Sequence, residues 1–445
     1  MTDGRGNYEL IQQDEAVQFT SDLIRLDTSN YGAGEANERP AAEFVAEKLS
    51  DAGIDATILE AAPGRSNVIA RITGTDSSLP AMLVHGHLDV VPAQAENWSV
   101  HPFSGEVSDG VVWGRGAVDM KDMDAMVLAV VRAWAREGRR PVRDMVLAFT
   151  ADEEDTMDFG STWLVDKHRD LFADCTEGIS EIGAHRVNVA PGKHIYPVGA
   201  GERGLGWIRL EARGREGHGA LQHGDNAVGR LAAAVARIDA YEWPLRISPT
   251  VRASIEALAE LMEADIDPDD PALNPEILEA TLGASASIVS SGLRNSANPT
   301  MLSAGFQTNI IPGVAVGFVD GRFLPGQEAE FQATMDELVG PEVKWEFTVH
   351  QPALEAPVEG TTFAAMRDAL LAEDSEALVV PNLIAGGTDS KQFSRLGIAN
   401  YGFAPLGLPD GYGFEQMFHG IDERVPVDGL HFGVRVLDRF LSSVR

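Results

Sequence analysis

The order of apolar and polar residues along the chain marks three stretches. Over residues 1–198, helical and strand patterns take turns. Helical spacing covers Asp14–Leu26 and Pro40–Ala52, the second closed by Gly53. Strand patterns follow at Ala56–Leu59 and Asn67–Ile72, and Ala81–Val84 runs into the segment VHGHLDVVP. Met123–Trp134 repeats apolar residues at helical spacing, and Met145–Thr150 is continuously apolar. Such alternation predicts an α/β sheet with helices on its faces.

The pattern changes near residue 199. GAGERGLG reads as a glycine-rich loop, Trp207–Ala212 alternates as a half-buried strand, and Asn226–Ala240 is strongly helical. The Asp- and Pro-rich stretch Ala264–Asn274 reads as a surface loop. Strand patterns recur at Met301–Ala304, Val314–Phe318 and Val343–Val349, with a helix near Glu328–Leu338. After residue 349 the α/β alternation resumes: Phe363–Leu371 helical, Ala377–Val380 extended, Leu430–Val444 a closing helix. The resulting expectation is an α/β domain built from residues 1–198 and 350–445, interrupted by a smaller α+β domain at 199–349. A tail of that length is too small to bury a core of its own.

Composition narrows the function. Asp plus Glu number 68 against 35 Lys plus Arg, a formal charge of −33. That balance argues against nucleic acid or an anionic membrane as partner, since both select basic surfaces. No apolar run reaches the roughly 20 residues of a membrane span. The lone cysteine, Cys175, permits no internal disulfide and reads as a core residue. The expectation is a cytoplasmic protein.

Candidate chemistry collects where strand patterns end. In VHGHLDVVP, His87 and Asp89 are two apart and share a face of the strand, so the carboxylate can fix the imidazole's orientation. In WGRGAVDMK, Asp119 stands just before a helix, where it could serve as an N-cap or bridge two cations. The strand in AFTADEED runs into four consecutive acids, Asp152 to Asp155, which repel one another unless solvent or a cation receives them. Glu181 lies in the apolar ISEIG, and His419 lies in the loop-like FHGIDER. Two histidines and several carboxylates, without a cysteine cluster, suit zinc, cobalt or manganese. One bridging carboxylate lets such a set hold two ions.

HGHLDVVP, WGRGAVDMK, TADEE, GGTDS and FHGIDE, in this order, resemble the di-zinc exopeptidase and deacylase family. That family includes aminoacylase, acetylornithine deacetylase, succinyl-diaminopimelate desuccinylase and glutamate carboxypeptidase. The resemblance covers nearly the whole chain. It implies a zinc-exopeptidase-like domain with helices on both faces of a mixed sheet and an inserted lid or dimerisation domain. It implies that His87 and Glu181 bind one ion, Glu154 and His419 the other, and Asp119 both, while Asp89 clamps the ring of His87. Glu177 competes with Glu181 for its place. Glu153 is implied as the general base that takes a proton from water and returns it to the leaving nitrogen. His218 in GHG is implied to help hold the oxyanion, and Asn309 and Arg322 to bind a substrate carboxylate. Gly386, Gly387 and Thr388 are implied to line the site. The expected substrate is a dipeptide, a peptide C-terminus or an N-acyl amino acid, and the expected assembly is a homodimer through the inserted domain. A two-metal esterase or phosphatase, and a silent binding protein on the same fold, are the competing readings.

Overall fold

The computed structural model describes residues 4–221 and 223–445. The chain divides into two compact units. One takes the residues up to Ala200, Ala356–Asn382 and Thr388–Arg445. The other takes Gly201–Glu355 and Leu383–Gly387. The short return of 383–387 to the second unit was not part of the expected boundaries at 199 and 349, and it carries Gly386 and Gly387 with it.

The first unit is built on a mixed sheet. Its strands run in the order Ala56–Ala62, Arg65–Ile72, Met145–Thr150, Ala81–His87, Cys175–Ser180, Ala399–Gly402 and Lys193–Glu202. The four from Met145–Thr150 to Ala399–Gly402 are parallel, and antiparallel strands flank them. Alternate residues feed opposite layers. Met82, Val84, Leu147 and Phe149 pack with helices Lys121–Glu137 and Val427–Ser443. Ala81, Leu83, Val146 and Ala148 pack with Leu164 and Phe393 of helices Ser161–Lys167 and Ser390–Ser394. A strand buried on both faces reads as a continuous apolar run, as Met145–Thr150 does. Cys175 is buried at the start of its strand.

The second unit has an antiparallel sheet ordered Ser296–Ala304, Val314–Phe323, Gly204–Arg213 and Val343–Gln351. Ile208, Leu210, Val319 and Phe323 face Leu231, Phe331 and Met335 of helices Ala227–Asp239 and Glu328–Val339. The GAGERGLG stretch is not a loop. It belongs to the strands Lys193–Glu202 and Gly204–Arg213. Its glycines answer to close packing. A Cβ at Gly204 would stand 1.9 Å from the Phe323 ring and one at Gly206 2.5 Å from that of Phe347. Helices Pro249–Met262 and Pro275–Leu282 flank the Asp/Pro-rich loop and had no counterpart in the sequence reading. Both begin with a side-chain cap, Ser248 or Asn274, followed by Pro, a start signal visible in the sequence. Among the described residues no helix is long and apolar enough to cross a membrane.

Candidate metal centre

Three neighbouring parallel strands deliver the cluster from their carboxyl ends, where open α/β sheets bind ligands. His87 is the last residue of Ala81–His87, Glu153 and Glu154 follow Met145–Thr150, and Glu181 follows Cys175–Ser180. The turn that presents Glu181 packs tightly on the next strand. Gly183 has φ +144° and a Cβ there would meet the Gly402 carbonyl oxygen at 2.3 Å. Asp119 precedes the helix Lys121–Glu137. The N-cap position belongs to Met120, so Asp119 is not spent on capping.

Asp119 stands between the two histidines. Its Oδ1 is 3.1 Å from His87 Nε2 and its Oδ2 3.3 Å from His419 Nε2. His419 Nε2 is also 3.1 Å from Glu154 Oε2, and His87 Nε2 is 3.8 Å from Glu181 Oε2. Ligand atoms of His87, Asp119 and Glu154, and of His87, Glu153 and Glu181, lie within 4.8 Å of one another in each group. Glu177 points elsewhere: it pairs with Arg143 at 2.7 Å. His85, two residues before His87, is buried against the Phe393 ring, and burial drops its imidazole to about 3.

Asp89 meets the His87 ring in two ways and has further contacts of its own. The His87 ring is held at Nδ1 by the backbone carbonyl of Asp89 at 2.9 Å, whereas the Asp89 carboxylate is 3.6 Å away. That carboxylate also accepts the backbone N–H groups of Glu153 and Glu154, both at 3.2 Å, and the Asn30 amide at 2.9 Å. A strand-end acid thus pins the loop that carries Glu153. Asp152, at φ 66°, is tied into the same network by Arg65 at 2.6 Å and Asn30 at 3.1 Å. Arg65 also grips Glu38 with its Nε and Nη2.

The electrostatics of the cluster call for positive charge. Burial pushes the Glu153 carboxyl well up, and the Glu181 charge adds to that. Burial carries Glu181 to about 8 against the attraction of His87. Hydrogen bonds donated to Asp119 and Glu154 lift His419 to about 10. Burial would lower His87, but the Glu181 charge and the Asp119 bond raise it instead. Burial would raise Asp119, yet its bonds to His419 and His87 hold it below the ordinary range. Glu154 Oε1 is buried and has no hydrogen-bond partner among the described residues. An orphaned carboxylate oxygen, neutral-capable imidazole nitrogens and converging acids fit a pair of divalent cations.

In the second unit, His218 and Asn309 meet on a two-stranded ribbon. His218 pairs with Ile310, and Gly219 N–H donates to the Asn309 carbonyl at 2.8 Å. His218 Nδ1 accepts the Ala220 N–H at 3.1 Å, leaving Nε2 to carry the ring proton. Arg322 is not free as expected of a substrate clamp. Asp320 takes its Nε at 2.7 Å and Nη2 at 3.2 Å. Gly386 is exposed, and a Cβ there would meet nothing, so the chain's own packing does not require glycine. Thr388, in the first unit, is buried and its Oγ1 accepts the Ser390 N–H at 3.1 Å.

Sequence reasoning missed Asn30, Arg65, Arg115 and Glu423, which hold the cluster's loops. Arg65 and Arg115 stand beside motif glycines, in GRSN and WGRG, whereas Asn30 and Glu423 carry no such mark, and the partners of all four lie far off in sequence.

The model of the peptidase family M20/M25/M40 matches residues 83–443. The chain is 24% identical to the "N-fatty-acyl-amino acid synthase/hydrolase PM20D1" of Xenopus tropicalis, over 97% of this chain and 86% of that protein. It is 26% identical to "Aminoacylase-1" of Pongo abelii, over 91% of this chain and 90% of that protein. Its fold is similar to that of the M20 family metallo-carboxypeptidase Sso-CP2 of Sulfolobus solfataricus, with a TM-score of 0.70 and 18% identity over 96% of this chain and 99% of that one.

Proposed function

The chain belongs to peptidase family M20/M25/M40 and is an enzyme that hydrolyses amide bonds, and from that premise we propose that it cleaves small carboxylate-bearing substrates by a water activated between two metal ions. The observation that carries this reading is the Asp119 carboxylate, one oxygen toward His87 and the other toward His419. His87 and Glu181 would hold one ion, Glu154 and His419 the other, and Asp119 both. Mixed nitrogen and oxygen donors favour zinc, with cobalt or manganese as substitutes. When bound, such ions polarise the scissile carbonyl and make water more acidic.

The chain's own groups then divide the proton work. Glu153 lies beside this cluster, and burial gives its carboxylate a high affinity for protons. It takes the proton of the attacking water and delivers it to the leaving nitrogen. Asp89, holding the N–H groups of Glu153 and Glu154, fixes the loop in the geometry this transfer needs. His218, with its proton on Nε2, is a donor for the oxyanion. Arg322 has two donors engaged by Asp320, while its Nη1 makes no hydrogen bond among the described residues and is the group left for a substrate carboxylate.

The names of the relatives support N-acyl amino acids and peptides with a free C-terminus as the substrate class. The inserted unit also presents an apolar edge. Met301 and Leu302 on the outer strand Ser296–Ala304, and Phe306 just beyond, are 63%, 60% and 84% exposed. A second copy of the chain would cover them, which supports a homodimer. The single buried cysteine suits a reducing, cytoplasmic setting. Substrate class is tested by loading the enzyme with zinc or cobalt and assaying N-acyl amino acids, dipeptides, carboxyl esters and phosphate monoesters. Release of amine from the first two is expected. Hydrolysis of only the esters or the phosphates would overturn the reading.

A further inference from the structure

Two loops that share no strand carry the bridging carboxylate and the second histidine. Residues 114–120 rise from the strand Val111–Trp113 and hold Asp119. Residues 417–423 run into the strand Arg424–Pro426 and hold His419. The two strands pair, Arg424 with Trp113, but this pairing stops before either candidate ligand is reached. Past that point, apart from the contact of Asp119 with His419 itself, the loops are joined by a buried ion pair. Arg115 Nη1 donates to Glu423 Oε2 at 2.6 Å, and Arg115 Nη2 donates to the carbonyl of Gly420, the residue after His419, at 2.7 Å. Glu423 Oε1 accepts the N–H of Val118, the residue before Asp119, at 2.8 Å, and the Glu423 carbonyl accepts the Gly114 N–H at 2.9 Å. Each side chain thus holds the other's loop next to a candidate ligand.

The pair is expensive to keep. Arg115 is 3% exposed and Glu423 fully buried, and a buried ion pair is poor value for stability alone. The guanidinium also lies 5.1 Å from the Trp98 ring centroid, which fixes its plane. What it holds is the least supported member of the cluster. His87, Glu154 and Glu181 follow directly from central strands and are largely buried. The His419 side chain is 58% exposed, and its backbone sits at φ 55°, a conformation unfavourable for any residue with a Cβ. Strain of this kind persists only where the surroundings impose it.

We propose that the Arg115–Glu423 pair is a positioning clasp that sets the distance between Asp119 and His419 and thereby governs the affinity of the ion held by Glu154 and His419 far more than that of the ion held by His87 and Glu181, which shares only Asp119 with it. This rests on the two-ion reading above. Neither residue touches substrate; both act through the loops they join.

The test is zinc binding itself, measured without turnover. Zinc-free wild type, Glu423→Gln, Arg115→Lys and, as reference, His419→Ala are titrated with zinc against a chromophoric chelator, with the bound metal counted after equilibrium dialysis. Wild type is expected to take up two ions. Glu423→Gln and Arg115→Lys are expected to keep the first ion within about twofold and to weaken the second by about 10–100-fold, the range found when groups that orient ligands are lost. His419→Ala should show the same pattern more severely. Arg115→Lys retains the positive charge but not the fork that reaches Glu423 and Gly420 together, so it remains informative if Glu423→Gln folds poorly. Two ions bound with wild-type affinities in both variants would overturn the clasp. So would equal loss of both ions, or loss of the circular-dichroism melting transition in both variants, since the pair would then be structural. A single ion in wild type would instead remove the two-ion reading on which the clasp depends.

Discussion

Replacing Arg65 with methionine tests how the loop bearing Glu153 is held. The guanidinium is buried, as are its two acid partners, Glu38 and Asp152. It makes bonds of 2.9 Å and 2.8 Å to Glu38 and 2.6 Å to Asp152, with its carbon 4.8 Å from the Phe159 ring centroid. Methionine keeps much of the apolar stem but leaves two carboxylates without their cation. Removing one partner of a buried pair costs about 3–5 kcal/mol. At roughly 2–4 °C per kcal/mol, the melting transition of the first unit should fall by roughly 6–20 °C. The loss depends on pH with a definite sign. Burial, with the Asp89 charge, already lifts Glu38 to about 7, above its ordinary 4.5. The folded state therefore holds that proton more tightly than the unfolded chain, and protonation below about pH 7 relieves the stranded charge. The melting deficit of the variant should be larger at pH 8 than at pH 5.5. Calorimetry at both values decides. A drop below about 2 °C, or a deficit that grows on acidification, would refute the argument that this network bears uncompensated charge.

Glu153→Gln should bind metal as wild type does and lose most of its turnover, since the amide cannot accept the water's proton; metal analysis beside steady-state kinetics checks this, and near-normal turnover would remove Glu153 as the base. His185 gives a separate acid-stability prediction. Burial holds its imidazole at about 4, below the ordinary 6.5. The unfolded chain binds the proton more readily, so its contribution is intact above about pH 6.5 and is lost as the pH falls toward 4. From that difference His185 should account for about 2 kcal/mol of the stability lost between pH 7 and pH 5. His185→Leu should flatten the pH dependence of the unfolding midpoint by that amount, and an unchanged slope would show that the ring is not held neutral.

Much of the frame was legible because its signals are local. Met145–Thr150 reads as a strand from the five continuous apolar residues Met145 to Phe149, and the helix Ala227–Asp239 from its spacing. Most cluster residues were legible because they end or follow a strand or stand just before a helix, where chemistry-bearing residues stand out against apolar neighbours; His419, in a loop, was legible only through its motif. Distance and partnership were not legible. That the carbonyl of Asp89 comes closer to the His87 ring than its carboxylate, 2.9 Å against 3.6 Å, depends on how the strand ends at His87. That Arg322 is engaged by Asp320, two residues away on the same strand, depends on rotamers, which a pattern of residue types does not encode. The glycines of GAGERGLG misled because a glycine made necessary by a phenylalanine ring on a neighbouring strand looks, in one dimension, like a glycine made necessary by a turn.

The central claim is that Asp119 joins two cations in one centre. Its most direct test is the number of zinc ions bound per chain at saturation, counted by elemental analysis after equilibrium dialysis, in wild type and in Asp119→Ala, with amide hydrolysis followed on the same samples. The account predicts two ions and full activity in wild type, and loss of the paired site together with activity in the variant. Full wild-type activity with one ion or none, or an Asp119→Ala protein that keeps both ions, would contradict it.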